Sequence, residues 1–181
     1  MSEYDGVLRR GEHLPDGIAY LPADPGDVFW GELPARSDAP RITLASGERI
    51  VVDTLSHEGL LEDQGRDPRG WFGAHGVDAD QVLDEAHLLA ASRPDRDPAR
   101  QGPHVVSGPI EILDTRPGDL LRIAVIDTTP RVPYGVISNR HGRGALPGEF
   151  PAGPGNVSIF TPIARDDDGT WTGRLPPLVG R

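Results

Sequence analysis

Glycine and proline interrupt this sequence so often that few long helices can form. The 181 residues include 23 glycines and 19 prolines, and proline removes the backbone donor that a helix interior requires. The runs between these breaks are short and rich in Val, Ile and Thr, which fit the pleated surface of a sheet. We therefore expect one mostly β domain over residues 1–181, with residues 1–27 and 175–181 at its periphery.

One stretch, about residues 79–91, has the pattern of a helix. Asp78 is a suitable N-cap, Gln81 follows it three residues later, and Pro94 ends the pattern. Its apolar residues recur at helical spacing and share one face, namely Val82, Leu83, Ala86, Leu89 and Ala90. The sequence thus predicts a single helix inserted between strands.

The strands are predicted from the β-rich runs and the turns between them. Ser46-Gly47-Glu48 predicts a hairpin, and Asp166-Asp167-Asp168-Gly169 predicts a second one, with a calcium site as the alternative. Residues 129–156 are glycine-rich and predict one long loop. Val28-Phe29-Trp30 is expected to fill the core. The predicted strands are residues 17–21, 41–45, 49–55, 105–112, 120–127, 157–164 and 170–173.

Charge and composition exclude several classes of function. A formal net charge of −10 repels nucleic-acid phosphates and anionic membranes, so we expect neither as a partner. The absence of cysteine rules out disulfides, thiolate metal ligands and a cysteine nucleophile. No apolar run approaches the roughly 20 residues of a membrane span, and no secretory signal is visible at Met1. We therefore expect a soluble cytoplasmic protein.

Titratable side chains follow two of the predicted strands. His57 and Glu58 come just after the run that contains Asp53, and His104 follows Gly102-Pro103 at the start of another run. Such groups can hold a divalent ion with an open position for water, or act as an acid–base set. A solvated loop with structural histidines is the alternative. His141 is a weaker candidate from the glycine-rich loop, while the remaining histidines are expected to be structural or exposed: His13, His75 and His87.

Several segments in one order resemble the acetamidase/formamidase family. The most specific is Gly102-Pro103-His104-Val105-Val106-Ser107-Gly108-Pro109. The turn segments Ser46-Gly47-Glu48 and Pro117-Gly118-Asp119 match in position, as do Phe29-Trp30-Gly31 and residues 131–150. The resemblance covers roughly residues 28–165.

This resemblance implies a jelly-roll-like β-sandwich that hydrolyses a small linear amide to a carboxylate and ammonia. It also implies a homo-oligomer and a divalent metal, zinc or calcium. The metal would be bound by Asp53, His57 and His104. Catalysis would rest on His57 and His104, with Glu58 as a proton shuttle.

The sequence departs from the family because two segments of the family's second half, Gly-Gly-Asn-x-Asp and Gly-Asp-Gly-His, do not occur here. The chain thus resembles an N-terminal half or a truncated relative, and a partner chain is expected to supply the missing half. Two alternatives stay open. The first is a non-catalytic β-sandwich module that binds a metal or small ligand, and the second is one subunit of a split amidase.

Overall fold

The computed structural model describes residues 6–175, which are mostly β with two α-helices among them. Two compact units are present: residues 8–129 form the first, and residues 6–7 with 130–175 form the second. Residues 1–5 and 176–181, which belong to the stretches predicted to be peripheral, lie outside the described residues. Within the described range, no helix is long and apolar enough to cross a membrane.

Short strands of the first unit pair in three ladders, each linking parts of the chain that are distant in sequence. β1 runs parallel to β4, β3 runs parallel to β6, and β2 runs antiparallel to β5. The parallel pairs require long connections because the chain must return to the same end of the sheet. The strands are β1 (Ala19–Leu21), β2 (Val28–Trp30), β3 (Ile42–Leu44), β4 (Ile50–Val52), β5 (Val105–Ser107) and β6 (Ile110–Ile112).

The predicted hairpin around Ser46-Gly47-Glu48 is wrong, although its turn forms. The Glu48 N–H donates to the Ala45 carbonyl at 3.2 Å, and Gly47 takes the left-handed φ of +87° that glycine tolerates. The strands on either side nevertheless pair elsewhere, β3 with β6 and β4 with β1. A turn signal sets the local chain path, whereas the partner of each strand is chosen by tertiary packing.

The predicted strand 105–112 is divided into β5 and β6 at Gly108-Pro109. Gly108 has a φ of +108°, and Pro109 has no N–H to donate to a ladder. The two halves therefore pair with different strands, β2 and β3. The Arg41 N–H donates to the Pro109 carbonyl at 2.8 Å and extends the β3–β6 ladder, while the Gly108 N–H donates to the Asp27 carbonyl at 3.0 Å and extends the β2–β5 ladder.

The predicted helix begins later than expected. Ala79–Gln81 forms a 3₁₀ turn, Val82 and Leu83 are extended, and α2 (Asp84–Ser92) follows. The capping contact expected between Asp78 and Gln81 is present, because Gln81 Oε1 accepts the Asp78 N–H at 3.3 Å. A second helix, α1 (Pro68–Gly73), was not predicted. Its proline stands in the first turn, where the missing N–H has no intrahelical partner to lose.

The core of the first unit lies between β2 and α2. Trp30 is 3% exposed, and Leu89 is fully buried. Leu21 and Ala23 are also buried, so part of residues 1–27 belongs to the core and was wrongly predicted to be peripheral. The cluster comprises Ala23, Val28, Trp30, Leu55, Leu60, Leu61, Ala86, Leu89 and Ala90.

Arg96 stabilises this core from one side. Its guanidinium lies 4.6 Å from the Trp30 ring centroid, a cation–π contact, and pairs with Glu62 at 2.6 Å. Burial pushes the pKa of the Glu62 carboxyl upward, but the hydrogen bonds and the charges of Arg96 and Arg66 outweigh it and hold that pKa below its usual value. The pair therefore contributes stability above the ordinary pKa of a glutamate, and this stability is lost as the pH falls through the lowered value.

Residues 120–127 do not form the predicted strand. In the described part of the chain, residues 120–126 make no hydrogen bond and belong to no helix, strand, turn or bend. Their large apolar side chains face solvent: Leu120 is 98% exposed, and Leu121, Ile123, Val125 and Ile126 are all more than half exposed.

The second unit is an antiparallel meander of β7 (Tyr134–Arg140), β8 (Asn156–Arg165) and β9 (Trp171–Gly173). The β8–β9 pairing confirms the predicted final hairpin. β7 corrects the prediction that residues 129–156 form one long loop. In the hairpin turn, Asp168 Oδ1 accepts the Thr170 N–H at 2.9 Å. Hydrogen bonds from the backbone and the side chain of Thr170 lower the pKa of Asp168. The aspartate run therefore forms a turn, as predicted.

Candidate functional site

The start of β5 holds His104 in place through two hydrogen bonds from β2 and the residue after it. Trp30 Nε1 donates to the Pro103 carbonyl at 3.0 Å, and the Gly31 N–H donates to the His104 carbonyl at 2.8 Å. A side chain at position 31 would clash, since a Cβ there would lie 2.5 Å from the Gly102 oxygen. The backbone around His104 is thus set by the buried Trp30 and the close approach of Gly31.

The chain that leaves β4 carries Asp53, His57 and Glu58 toward the same place. The Asp53 N–H donates to the Leu21 carbonyl at 3.0 Å, and Ser107 Oγ of β5 donates to the Asp53 carbonyl at 3.0 Å. Beyond Asp53, the Glu58 N–H donates to Ser56 Oγ at 3.2 Å. The Asp53 bonds tie the end of β4 to β1 and β5, and the Ser56 bond shapes the loop that carries Glu58.

His57, Glu58 and His104 meet at this junction. The rings of His57 and His104 are edge to face, with centroids 5.3 Å apart and planes at 80°. His57 Nε2 lies 3.3 Å from Glu58 Oε1. The Glu58 side chain is 4% exposed and that of His57 is 23% exposed. A buried carboxylate therefore faces an imidazole that remains accessible to solvent.

Gln64 completes this group and was not predicted. Gln64 Nε2 donates to Glu58 Oε2, while Gln64 Oε1 accepts the Gly59 N–H at 2.7 Å. The side chain is buried, with 8% exposed, so it fixes the carboxylate of Glu58 with Oε1 toward His57. Gln64 lies in a charged, irregular stretch, and no sequence pattern marked it as part of the site.

Helix α1 packs against the loop that carries the carboxylate. Gly59 has a φ of +82°, and a Cβ there would lie 3.1 Å from both the Phe72 ring and the Pro68 Cα. Pro68 and Phe72 are the buried residues of α1. The helix therefore requires glycine directly after Glu58 and restricts the movement of that loop.

Asp53 is buried, with 7% exposed, and its carboxylate has a structural contact. Tyr20 Oη donates to Asp53 Oδ2 at 2.6 Å, and the Gly11 N–H donates to Tyr20 Oη at 2.9 Å. Among residues 6–175, no group of three or more His, Asp or Glu side chains is arranged to hold a metal ion. A zinc or calcium site at Asp53, His57 and His104 stays a prediction.

The remaining histidines do not join the group. His141 belongs to the second unit, where its Nδ1 lies 2.8 Å from the Pro151 carbonyl. His13 and His87 are exposed, as expected. His75 is exposed as well and packs edge to face on Trp71, with centroids 4.7 Å apart.

The group can move a proton. A carboxylate beside an imidazole nitrogen orients the ring and stabilises its protonated form. His57 is accessible to solvent, so water or a small molecule can reach it. The arrangement thus has the parts of an acid–base pair, with His104 in contact with it.

Comparison with known proteins assigns no family. No family model matches the chain, and no curated protein or solved structure matches it either. The resemblance to acetamidases and formamidases stays a prediction from the sequence.

Proposed function

We propose that this chain is an amidase-type hydrolase that cleaves the C–N bond of a small linear amide to give a carboxylate and ammonia. The observation that carries the proposal is the meeting of His57, Glu58 and His104, which come from two distant parts of the sequence. Burying a carboxylate is costly unless it is bonded. The hydrogen bond from Gln64 meets this cost, and the proposal gives the buried carboxylate a role.

In the proposed reaction, His57 takes a proton from a water molecule as that water attacks the amide carbonyl. Glu58 stabilises the imidazolium through the 3.3 Å contact and shuttles the proton onward. The tetrahedral intermediate then collapses, the C–N bond breaks, and the proton passes to the leaving nitrogen, which departs as ammonia. His104 lies against His57 and would serve as the second acid–base imidazole, in contact with the substrate.

The proposal does not depend on a metal. A divalent ion bound by Asp53, His57 and His104 would polarise the carbonyl and lower the pKa of its bound water. No step above passes through such an ion. The metal content of the protein is therefore a separate measurement.

The finer fold is part of the same proposal. We infer that the three short ladders of the first unit belong to a jelly-roll-like sandwich and that the chain forms homo-oligomers. The pairing of strands that are distant in sequence supports a layered β architecture, whereas the two parallel ladders, β1–β4 and β3–β6, depart from the antiparallel pairing of a jelly roll. Sedimentation of the purified chain tests the oligomeric state.

A second candidate is that this chain is one subunit of a split amidase. The exposed apolar residues 120–126 favour it, because a stretch of this composition is expected inside a sheet. In that case the chain alone would be inactive until a partner completed it. A non-catalytic binding module is the reading left if no partner restores activity.

The test is ammonia release from formamide and acetamide by the purified chain, with metal content determined on the same sample. Turnover supports a complete site in this chain. Stoichiometric metal without turnover supports the split enzyme. Neither turnover nor metal would contradict the proposed site and leave a β-rich scaffold.

A further inference from the structure

We propose that residues 119–127 form a docking strand, completed by a strand of a different polypeptide with an acidic residue opposite Arg122 and a basic residue at each end. This inference is independent of the amide chemistry, because it depends on the exposed segment alone. The docking strand is Asp119-Leu120-Leu121-Arg122-Ile123-Ala124-Val125-Ile126-Asp127.

The first observation is that residues 120–126, between the two terminal aspartates, lack partners for both side chains and backbone among the described residues. Its five large apolar side chains are exposed, from 56% at Leu121 to 98% at Leu120. No described residue makes a hydrogen bond with residues 120–126. Monomeric proteins rarely expose contiguous apolar patches larger than a few hundred Å². A row of unpaired amides and carbonyls is in addition a template for strand addition.

The second observation is how the charges alternate along the segment. Successive side chains of a strand point to opposite faces. As a strand, the segment places Arg122 on one face with Leu120, Ala124 and Ile126. The other face carries Asp119 and Asp127 with Leu121, Ile123 and Val125. One face is therefore cationic and the other is anionic.

This alternation disfavours a second copy of the chain as the partner. When a strand pairs antiparallel with its own copy about a two-fold axis, each face continues as the same face of the copy. The only charged side chain on the same face as Arg122 would then be Arg122 of the other copy, and the two aspartates would share their face only with the aspartates of that copy. Like charges across strands are destabilising, and the net charge of −10 adds to the repulsion between copies.

A different strand satisfies both faces. Opposite Arg122 it places a carboxylate, and opposite Asp119 and Asp127 it places Lys or Arg. Apolar residues between these positions cover Leu121, Ile123 and Val125. Apolar side chains are exposed on both faces of the segment. We therefore expect the partner strand to carry apolar residues on both of its faces, so that cross-strand pairs form on each.

The test uses the full chain and a synthetic nine-residue peptide, Lys-Thr-Val-Val-Val-Glu-Val-Thr-Lys, which has the required charges when it lies antiparallel to residues 119–127. Its matched control is the charge-reversed peptide Glu-Thr-Val-Val-Val-Lys-Val-Thr-Glu. We expect the first peptide to bind about tenfold more tightly, because three cross-strand charge pairs change sign. Backbone amide NMR shifts should change at residues 119–127.

Variants of the chain complete the test. In Arg122→Glu the preference at the position opposite residue 122 should invert, so that a peptide with Lys as its sixth residue binds better than the same peptide with Glu there. Ile123→Lys should abolish binding of both peptides. Equal binding of the two peptides, or binding of neither, would overturn the proposal. So would a dimer that Ile123→Lys dissociates, because the occupant would then be a second copy.

Discussion

Two regions of the first unit invert the usual distribution of side chains. Around His57, polar groups are buried: Glu58 is 4% exposed and Gln64 is 8% exposed. In the docking strand, large apolar groups face solvent, and Leu120 is 98% exposed. A fold that optimised stability alone would do neither, because buried polar groups and exposed apolar patches both carry a cost.

The two regions differ in whether the chain itself supplies partners for their side chains. The buried carboxylate of Glu58 has partners in Gln64 and His57, so the chain itself satisfies that region. In the docking strand, residues 120–126 have no hydrogen-bond partner among the described residues, and only the terminal aspartates make hydrogen bonds, to neighbours in sequence. The difference supports the two proposals in different ways: a region that the chain itself satisfies suits chemistry, and a region that it leaves uncovered suits contact with a partner. Changes in the first should therefore alter activity and stability, whereas changes in the second should alter association.

The largest expected effect comes from removing the second imidazole of the site. His104→Ala should lower amide turnover by about 10²- to 10⁴-fold, the range typical of a lost acid–base group, and should abolish any metal binding. Turnover and metal content are measured on the same sample. His87→Ala removes an exposed histidine of α2 and should change neither. Unchanged metal content in His104→Ala would remove His104 from the metal set.

A smaller effect is expected from the residue that satisfies the buried carboxylate. Gln64→Leu removes the partner of Glu58 Oε2 and of the Gly59 N–H. Because an unsatisfied buried group costs about 1–3 kcal/mol, the free energy of unfolding should fall by about that amount in urea titrations. An unchanged unfolding midpoint would mean that Gln64 does not hold the carboxylate in place.

Burial of a polar group should also make the second unit sensitive to alkali. Tyr134 stacks on Phe160, with centroids 5.5 Å apart, and burial raises the pKa of Tyr134 from 10.0 to about 12. The folded form therefore binds this proton more tightly than the unfolded form. The resulting stability is present below pH 10 and is lost as the pH rises toward about 12.

The measurement is the urea midpoint of the second unit's transition between about pH 9 and pH 12, with Tyr134→Phe as the control. The Phe variant retains the ring and cannot ionise, so it should lose less stability over this interval. Identical pH dependence in the two proteins would show that Tyr134 does not titrate with unfolding.

The smallest effect is expected in the docking strand. Leu120→Ser should change the free energy of unfolding by no more than about 0.5 kcal/mol, as at other exposed positions. Leu89→Ala, at a fully buried leucine, should cost about 2–5 kcal/mol in the same titration. A large loss in Leu120→Ser would mean that the segment is already packed within the chain.

The sequence indicated which titratable side chains lie together, but it did not indicate how the strands pair. His57, Glu58 and His104 follow strand ends, where rigid elements place side chains, and their role as a site stays a prediction. The hairpin at Ser46-Gly47-Glu48 failed because a turn does not determine which strand pairs with which. Gln64 had no signal at all, since its role depends on contacts that only the folded chain creates.

Residues 120–127 were predicted as a strand from their composition, but the described part of the chain does not supply the neighbours that such a strand needs. Their composition suits a strand covered on both faces, but no described part of this chain covers them. The β propensity of the segment therefore indicated that it can form a strand. It does not form one here, because no strand of the described chain lies beside it.

The most direct test of the account is ammonia release from acetamide by the wild-type chain and by Glu58→Gln. The Gln side chain keeps the size of Glu58 but cannot carry the shuttled proton. We predict turnover in the wild type and a loss of at least about a hundredfold in Glu58→Gln, with little change in Glu85→Gln, another buried carboxylate. Equal turnover in Glu58→Gln and the wild type, or no turnover in the wild type, would contradict the account.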